Sequence, residues 1–308
     1  MRILVTGAAG LVGQNLIPRL KARGLSGIVA IDKHPKNAAI LRELHPDIEV
    51  LQCDLAKDEG WQMRAAEADA VVLAHAQIGG LDEKNFVANN ITATERVIEA
   101  VRKTSPYLVH VSSSVVASAA EDWYTTTKEA QEKLILASGL PAVVLRPTLM
   151  FGWFDRKHLG WLARFMRRVP VFPIPGNGRY LRQPLYAGDF CDIVVSCLMA
   201  RPKDQIYNIS GQERIDYIDL MGEVRDACGA RARIVRIPYG LFYVLLAAYG
   251  LIDSDPPFTT KQLKALVTPD IFEVIDWPGI FGVRATPLKL ALAETFRHPA
   301  YSKIALEF

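Results

Sequence analysis

Thr6-Gly7-Ala8-Ala9-Gly10-Leu11-Val12-Gly13 sits between an apolar run, Ile3-Leu4-Val5, and a helical pattern that closes near Gly24. In a strand-to-helix setting the three glycines have separate uses. Gly7 permits the tight turn, Gly10 lets the backbone approach a pyrophosphate, and Gly13 lets the helix pack close to the strand. The first helical turn, beginning with Leu11 and Val12, then offers free N–H donors and a positive dipole end to phosphate oxygens. The next apolar run ends in Asp32, about twenty residues beyond the glycines, where a carboxylate accepts hydrogen bonds from ribose hydroxyls and repels a 2′-phosphate. That favours NAD over NADP, with Lys33 and His34 working against the preference.

Apolar strand-like runs recur at 3–5, 28–31, 49–53, 70–74, 108–112 and 142–146, separated by helical stretches such as 86–103 and 123–138. The alternation predicts an α/β fold, a Rossmann-type doubly wound parallel sheet covered on both faces, with ligand over the carboxyl ends of its strands. After Pro147 the regularity fades. Phe151-Gly152-Trp153 and the stretch 170–178 mark turns, and a helix opens at Gly188-Asp189 and runs to about 200. The expected division is a dinucleotide-binding domain over 1–150, to which 187–210 return, and a smaller C-terminal α/β substrate domain over 151–308.

With 308 residues, half of them hydrophobic, the chain can bury a large core, and a net charge of +3 without a Lys/Arg block argues against nucleic acid as a partner. Cys53, Cys191, Cys197 and Cys228 are scattered, so neither a metal site nor a disulfide framework is expected, and a reducing, cytoplasmic setting is. With a strand-like run already starting at Arg2, no signal peptide is expected. One segment, 237–252, is apolar throughout yet short of the roughly twenty residues that span a bilayer. Two readings stay open for it: a buried helix of the second domain, or a lipid- or partner-facing helix at the inner face of the membrane.

Tyr124-Thr125-Thr126-Thr127-Lys128 places a phenol and an ammonium four positions apart on one helix face. The charge of Lys128, joined by that of an oxidised nicotinamide, is expected to lower the tyrosine pKa and make it a usable acid or base. The preceding strand ends in Ser112-Ser113-Ser114, and a serine at that edge can hydrogen-bond a substrate oxygen while the tyrosine moves the proton.

These motifs together resemble the extended short-chain dehydrogenases/reductases of the NAD-dependent epimerase/dehydratase type. The resemblance runs through nearly the whole chain and adds Cys53-Asp54-Leu55, where the family holds adenine, Ala74-His75-Ala76 after the fourth strand, and Asn90-Ile91-Thr92-Ala93-Thr94 on the next helix. It implies that Gly7, Gly10, Leu11, Val12, Gly13, Asp32, Lys33, Asp54, Leu55, Ala74, His75, Ala76, Asn90, Lys128 and Pro147 bind the cofactor. Aligned on Val116, it implies that Ser113 acts with Tyr124 and Lys128, with Ser114 as the fallback and as a substrate contact beside Thr148. The segment 176–189 is similar to the family's G-x-G-x-x-x-R-x-x-x-Y-V-x-D stretch, which assigns a diphosphate grip to Arg182, with Arg179 nearby. Phe281-Gly282-Val283-Arg284-Ala285-Thr286-Pro287-Leu288 resembles the family's closing G-W-x-P segment. Two departures stand out: Val116 is followed by Ala117-Ser118 rather than a Tyr-Gly pair, and Arg146-Pro147-Thr148 lacks the asparagine many nucleotide-sugar epimerases carry.

The resemblance implies an NAD-dependent sugar epimerase acting at C4 of a diphosphate-linked hexose, carried on a nucleotide or a polyprenyl lipid. The alternatives are an NAD(P)-dependent ketoreductase or dehydratase, and a non-catalytic dinucleotide-binding subunit. A homodimer through helices 86–103 and 123–138 is the family's usual assembly.

Overall fold

Parallel strands covered by helices on both faces are apolar along their whole length, which is why the first half of the chain shows runs rather than alternation. The computed structural model describes residues 1–80, 82–117, 122–252, 263, 266–267 and 272–307. Its elements begin with β1 (Arg2–Thr6), α1 (Leu11–Ala22), β2 (Gly27–Asp32), α2 (Pro35–Leu44), β3 (Glu49–Gln52), α3 (Gln62–Ala66), β4 (Ala70–Leu73) and α4 (Glu83–Phe86). Next come α5 (Ala93–Val101), β5 (Tyr107–Val111), α6 (Trp123–Ala137), β6 (Ala142–Pro147), β7 (Met150–Phe151), α7 (Leu159–Met166), β8 (Val171–Pro175), β9 (Leu181–Arg182), β10 (Leu185–Tyr186) and α8 (Ala187–Ala200). The chain continues through β11 (Gln205–Ile209), β12 (Ile215–Asp216), α9 (Tyr217–Cys228), β13 (Arg233–Ile237), α10 (Tyr239–Ile252), α11 (Trp277–Phe281) and α12 (Leu288–Arg297).

Seven strands form one parallel sheet in the order β11-β6-β5-β4-β1-β2-β3. The chain builds outward from β1 to β3 on one side and then returns to start β4 on the other. The carboxyl ends of β1 and β4 therefore flank the switch point, where doubly wound sheets hold their ligands. The edge strand β11 comes from far along the chain, brought back by α8, whose Cys191, Val194 and Val195 join Leu16, Ile17 and Leu20 of α1 in the core.

Much of the second half gathers around a separate apolar cluster built from Leu159, Ala163 and Met166 of α7, Phe172 and Ile174 of β8, Leu220, Met221 and Val224 of α9, and Ala291 and Leu292 of α12. Here β8 pairs in parallel with β13, and β9 pairs antiparallel with β12. Asp189 on α8 accepts hydrogen bonds from the Thr286 hydroxyl at 2.6 Å and its N–H at 2.9 Å, tying the C-terminal segment to the sheet unit.

The stretch 86–103 departs from the single helix its pattern predicts. Val87–Thr92 widens into a π-helical turn between α4 and α5. Such turns cluster where a side chain must be turned inward, and the one turned inward here is Asn90, fully buried. Its Oδ1 accepts the Gln77 N–H at 2.6 Å and its Nδ2 donates to Thr127 Oγ1 at 2.8 Å, so it clasps the loop after β4 to α6.

Candidate active site

The glycine turn has the packing its spacing predicts. Gly7 has φ of +63°, and a Cβ there would stand 2.7 Å from the His75 backbone, so the turn lies directly against the end of β4. At Gly13 a Cβ would fall 2.3 Å from the Ala8 carbonyl oxygen, whereas at Gly10 it would meet only Gly7 O at 3.3 Å. The outer side of the turn at Gly10 is thus open to a ligand, while Gly7 and Gly13 let strand and helix close on each other. Asp32 completes the cradle: Oδ2 accepts the Ala9 N–H and Oδ1 the His34 N–H, both at 2.9 Å. Burial pushes its pKa up, opposed by those two N–H donors. The first-turn N–H groups of α1, the open face at Gly10 and the oriented carboxylate fit a dinucleotide. Arg156, from the loop before α7, lies within electrostatic reach of Asp32, a cation that no motif in the chain placed there.

The candidate reacting groups sit at the ends of β5 and α6. Asp122 caps α6 by accepting the Thr125 N–H at 2.7 Å, which starts the helix early enough to put Tyr124 in its first turn. The Tyr124 hydroxyl hydrogen-bonds the side chain of Ser113, just past β5. Ser113 is buried and Ser114 opens a short 3₁₀ turn, Ser114–Ala117. One turn along α6, Lys128 is fully buried, its Nζ donating to Val111 O at 2.8 Å and to Gln131 Oε1 at 2.7 Å.

Electrostatics here differ from the expectation. Burial raises the Tyr124 pKa above its ordinary value, with the Ser113 hydrogen bond pulling it down and the Asp122 carboxylate adding to the rise. Burial also lowers Lys128 to about 7, Glu132 opposing. Desolvation is the largest cause at both residues and penalises both charged forms.

Behind Lys128 a polar chain runs back to the glycine turn. Gln131 Nε2 donates to Thr94 Oγ1 at 2.9 Å, His75 Nε2 lies 3.0 Å from Thr94 Oγ1, and His75 Nδ1 lies 2.7 Å from Thr6 Oγ1. Burial, with the nearby Lys128, holds His75 down to about 3, so the ring is neutral. Sequence reasoning singled out His75 and missed Thr6, Thr94 and Gln131. It also missed that Glu132, on the same helix, accepts from the Ser112 hydroxyl and pairs with Arg146 at 2.6 and 2.9 Å.

The remaining residues singled out from the sequence are placed as follows. Thr148 is buried just past Pro147, its N–H bonded to Ile209 O, and its hydroxyl has no partner among the described residues. Lys33 Nζ reaches Asn89 Oδ1. Asp54 Oδ1 accepts the Ala56 N–H, and Leu55 is buried in the core beside Trp61. The Ala74 N–H donates to Thr6 O, which fixes Ala74-His75-Ala76 at the mouth of β4. Arg182 donates to the carbonyls of Leu181 and Leu266 and lies over the Tyr180 ring. Arg179 is turned elsewhere, toward Asp216 at 2.9 Å and Asp219 at 2.7 Å near the start of α9. No group of His, Cys, Asp or Glu able to hold a metal occurs among the described residues.

A sheet of this order, with a glycine turn at its switch point and a Ser–Tyr–Lys cluster beside it, is the arrangement expected of a dinucleotide-dependent enzyme. The model of the NAD dependent epimerase/dehydratase family matches residues 3–210, and the chain belongs to that family. Among curated relatives, a ceramide reductase of Caulobacter vibrioides is 23% identical over 96% of this chain and 92% of its own length. A dTDP-glucose 4,6-dehydratase of Actinoplanes is 26% identical over 75% of this chain and 83% of its own. A solved UDP-glucuronic acid 4-epimerase of Bacillus cereus in complex with NAD superposes with a TM-score of 0.72 at 22% identity, covering 96% of this chain and 95% of that one.

Proposed function

We propose that the protein is an NAD-dependent epimerase that inverts C4 of a diphosphate-linked hexose through a transient keto sugar. The observation that carries this reading is the placement of Tyr124 in the first turn of α6, within reach of Ser113, with the buried Lys128 one helical turn away, at the mouth of a dinucleotide-type turn. NAD bound over the glycine turn supplies a reversible hydride acceptor. Tyr124 Oη takes the proton of the reacting hydroxyl and returns it, Ser113 Oγ steadies the same oxygen, and protonated Lys128 has one N–H beyond those given to Val111 and Gln131 for a ribose hydroxyl. The Asp32 carboxylate favours NAD over NADP. Thr148, with its buried unpartnered hydroxyl, is a substrate or cofactor contact. Arg182 grips the diphosphate by exchanging neutral carbonyl partners for charged oxygens. Arg179, already held by two carboxylates, is left out of that contact.

The unit of α7, β8, α9, β13 and α12 is the substrate-binding part of this reading, and 187–210 belongs to the sheet. The surface depression between α5 and α6, lined by Ile98, Leu134 and Ala137, is proposed as the homodimer face. Four free cysteines fit a reducing, cytoplasmic setting.

The test incubates the purified protein with NAD and a panel of UDP-hexoses and a short polyprenyl-diphosphate sugar, following H4 by proton NMR and absorbance at 340 nm. Inversion at C4 with no net change in absorbance supports the reading. A second reading, net reduction of a ketone on an apolar substrate, is favoured by the near full-length similarity to a ceramide reductase. Stoichiometric consumption of NADH with such a ketone, and no inversion of any sugar, would replace the first reading with the second. Bound NAD with neither reaction would leave a non-catalytic dinucleotide-binding subunit.

A further inference from the structure

A helix that is apolar on every side is ordinarily buried. Helix α10 is apolar on every side, Tyr-Gly-Leu-Phe-Tyr-Val-Leu-Leu-Ala-Ala over 239–248, and none of these ten side chains is buried. Phe242 and Leu246, four apart, are half-buried and form the narrow stripe by which the helix rests on the protein. Leu241, Val244 and Leu245 stand on the other side with 51%, 62% and 56% of their surface exposed, and Tyr239 and Tyr243 are exposed as well. Two tyrosine hydroxyls are the only polar side-chain atoms on this stretch.

The charges beside the helix identify what covers it. Arg231, Arg233 and Arg236, on or next to the strand β13 that leads into α10 through Pro238, are all exposed. Beyond the helix the sequence carries Asp253 and Asp255, then Lys261 and Lys264, so basic residues outnumber acidic ones on both flanks taken together. Apolar side chains flanked by tyrosines and exposed arginines match the acyl, interfacial and headgroup layers of an anionic bilayer in that order. No helix among the described residues is long and apolar enough to cross a membrane, and a fourteen-residue helix extends only about 21 Å at 1.5 Å per residue, so α10 lies in the surface. We propose that α10, with the arginines of β13, seats the protein on an anionic lipid bilayer by inserting Leu241, Val244 and Leu245 into the interface. The proposal concerns where the enzyme works and stands whether the sugar or the ketone reading of the reaction holds.

Vesicle flotation of the full-length protein with NAD tests it, using phosphatidylcholine alone and a mixture of seven parts phosphatidylcholine to three parts phosphatidylglycerol. The protein is expected to float with the anionic vesicles and to be partly released by high salt. Leu241→Ser/Val244→Ser/Leu245→Ser should lower its partition coefficient by about tenfold or more with an unchanged thermal midpoint, because those side chains make little contact within the fold. Arg233→Gln/Arg236→Gln should remove the preference for anionic over neutral vesicles. Failure of the unmodified protein to float, or undiminished flotation of the serine variant, overturns the proposal. So does a fall in the serine variant's thermal midpoint, which would make α10 part of the core. A wild-type oligomer that ignores vesicles and is dispersed by the serine substitutions would assign the face to a second copy of this chain instead.

Discussion

Replacing Lys128 by Met probes the site through its pH dependence, because the buried ammonium leaves a thermodynamic signature of its own. Burial lowers the Lys128 pKa from 10.5 to about 7. Between those values the unfolded chain binds a proton that the folded chain does not, so ν in the unfolded state exceeds ν in the native state and stability rises with pH. Each pH unit inside that window is worth roughly 1.4 kcal/mol, so the lysine costs about 4 kcal/mol at pH 7 relative to strongly alkaline solution and about 2 kcal/mol at pH 9. Between pH 7 and 9 the wild-type protein without dinucleotide should therefore gain about 2 kcal/mol relative to Lys128→Met. The comparison of the two proteins is what counts, because burial holds the Cys53, Cys191 and Cys197 thiols at about 11 to 12 and their ionisation in the unfolded chain, from about pH 8.5, pulls both profiles down alike. The absolute change at pH 7 is a poor test, since removing the ammonium also strands Val111 O and Gln131 Oε1, at about 1–3 kcal/mol each. Urea denaturation of both proteins at four pH values reads the difference in slope. Parallel profiles would show that Lys128 is not desolvated as its surroundings imply.

Tyr124→Phe should leave fold and dinucleotide binding intact and cut turnover by about two to four orders of magnitude, and Ser113→Ala should cost about ten- to a thousandfold; steady-state kinetics and NAD titration check both, and a greater loss in Ser114→Ala would move the serine's role by one position. Asp32→Ala should weaken NAD by about ten- to a hundredfold while narrowing its advantage over NADP, read by fluorescence titration with each dinucleotide. Gly13→Ala should destabilise the protein by about 2–4 kcal/mol despite alanine's better helix propensity, because its Cβ would stand 2.3 Å from a backbone carbonyl oxygen that cannot move aside; calorimetry tests it. Arg182→Ala should raise the apparent dissociation constant of the diphosphate substrate about ten- to a hundredfold with little effect on NAD, as isothermal titration would show.

The parts of this protein that could be read in advance are those where one residue type is demanded by backbone geometry or by complete burial. Gly7 and Gly13 meet backbone atoms that no side chain could share, and β1, β4, β5 and β6 are apolar runs because both their faces are covered. What stayed hidden depends on partners remote in sequence. Gln131 looks like any polar residue on a helix until Thr94 and Lys128 are seen on either side of it. Arg179 matches its motif neighbours, yet Asp216 and Asp219, folded back from the next helix, take its guanidinium. The π turn at Val87–Thr92 leaves no trace in the pattern because it shifts one inward residue, Asn90, without changing which neighbours are apolar. For 237–252, apolarity predicts that water is excluded, but whether protein or lipid excludes it is decided by the neighbouring elements.

The chain of groups between the glycine turn and Lys128 admits two proton arrangements, one for each neutral tautomer of His75. In one, Thr6 Oγ1 donates to Val72 O at 3.3 Å and accepts from His75 Nδ1–H at 2.7 Å; in the other, Thr6 Oγ1 donates to His75 Nδ1 and His75 Nε2–H donates to Thr94 Oγ1 at 3.0 Å. Thr94 Oγ1 donates to Asn90 O at 2.6 Å and accepts from Gln131 Nε2 at 2.9 Å. In the first arrangement the second proton of Gln131 Nε2 points at His75 Nε2, 3.5 Å away, which can receive it only if that nitrogen carries none. Gln131 Oε1 is left to accept from Lys128 at 2.7 Å. Protonating His75 would put a charge into a buried site and place it near the Lys128 ammonium, which agrees with a pKa of about 3. The position of the lysine is thus set by hydroxyls on β1 and α5 and a ring at the end of β4, so the glycine turn and the proposed ribose contact are fixed by one another.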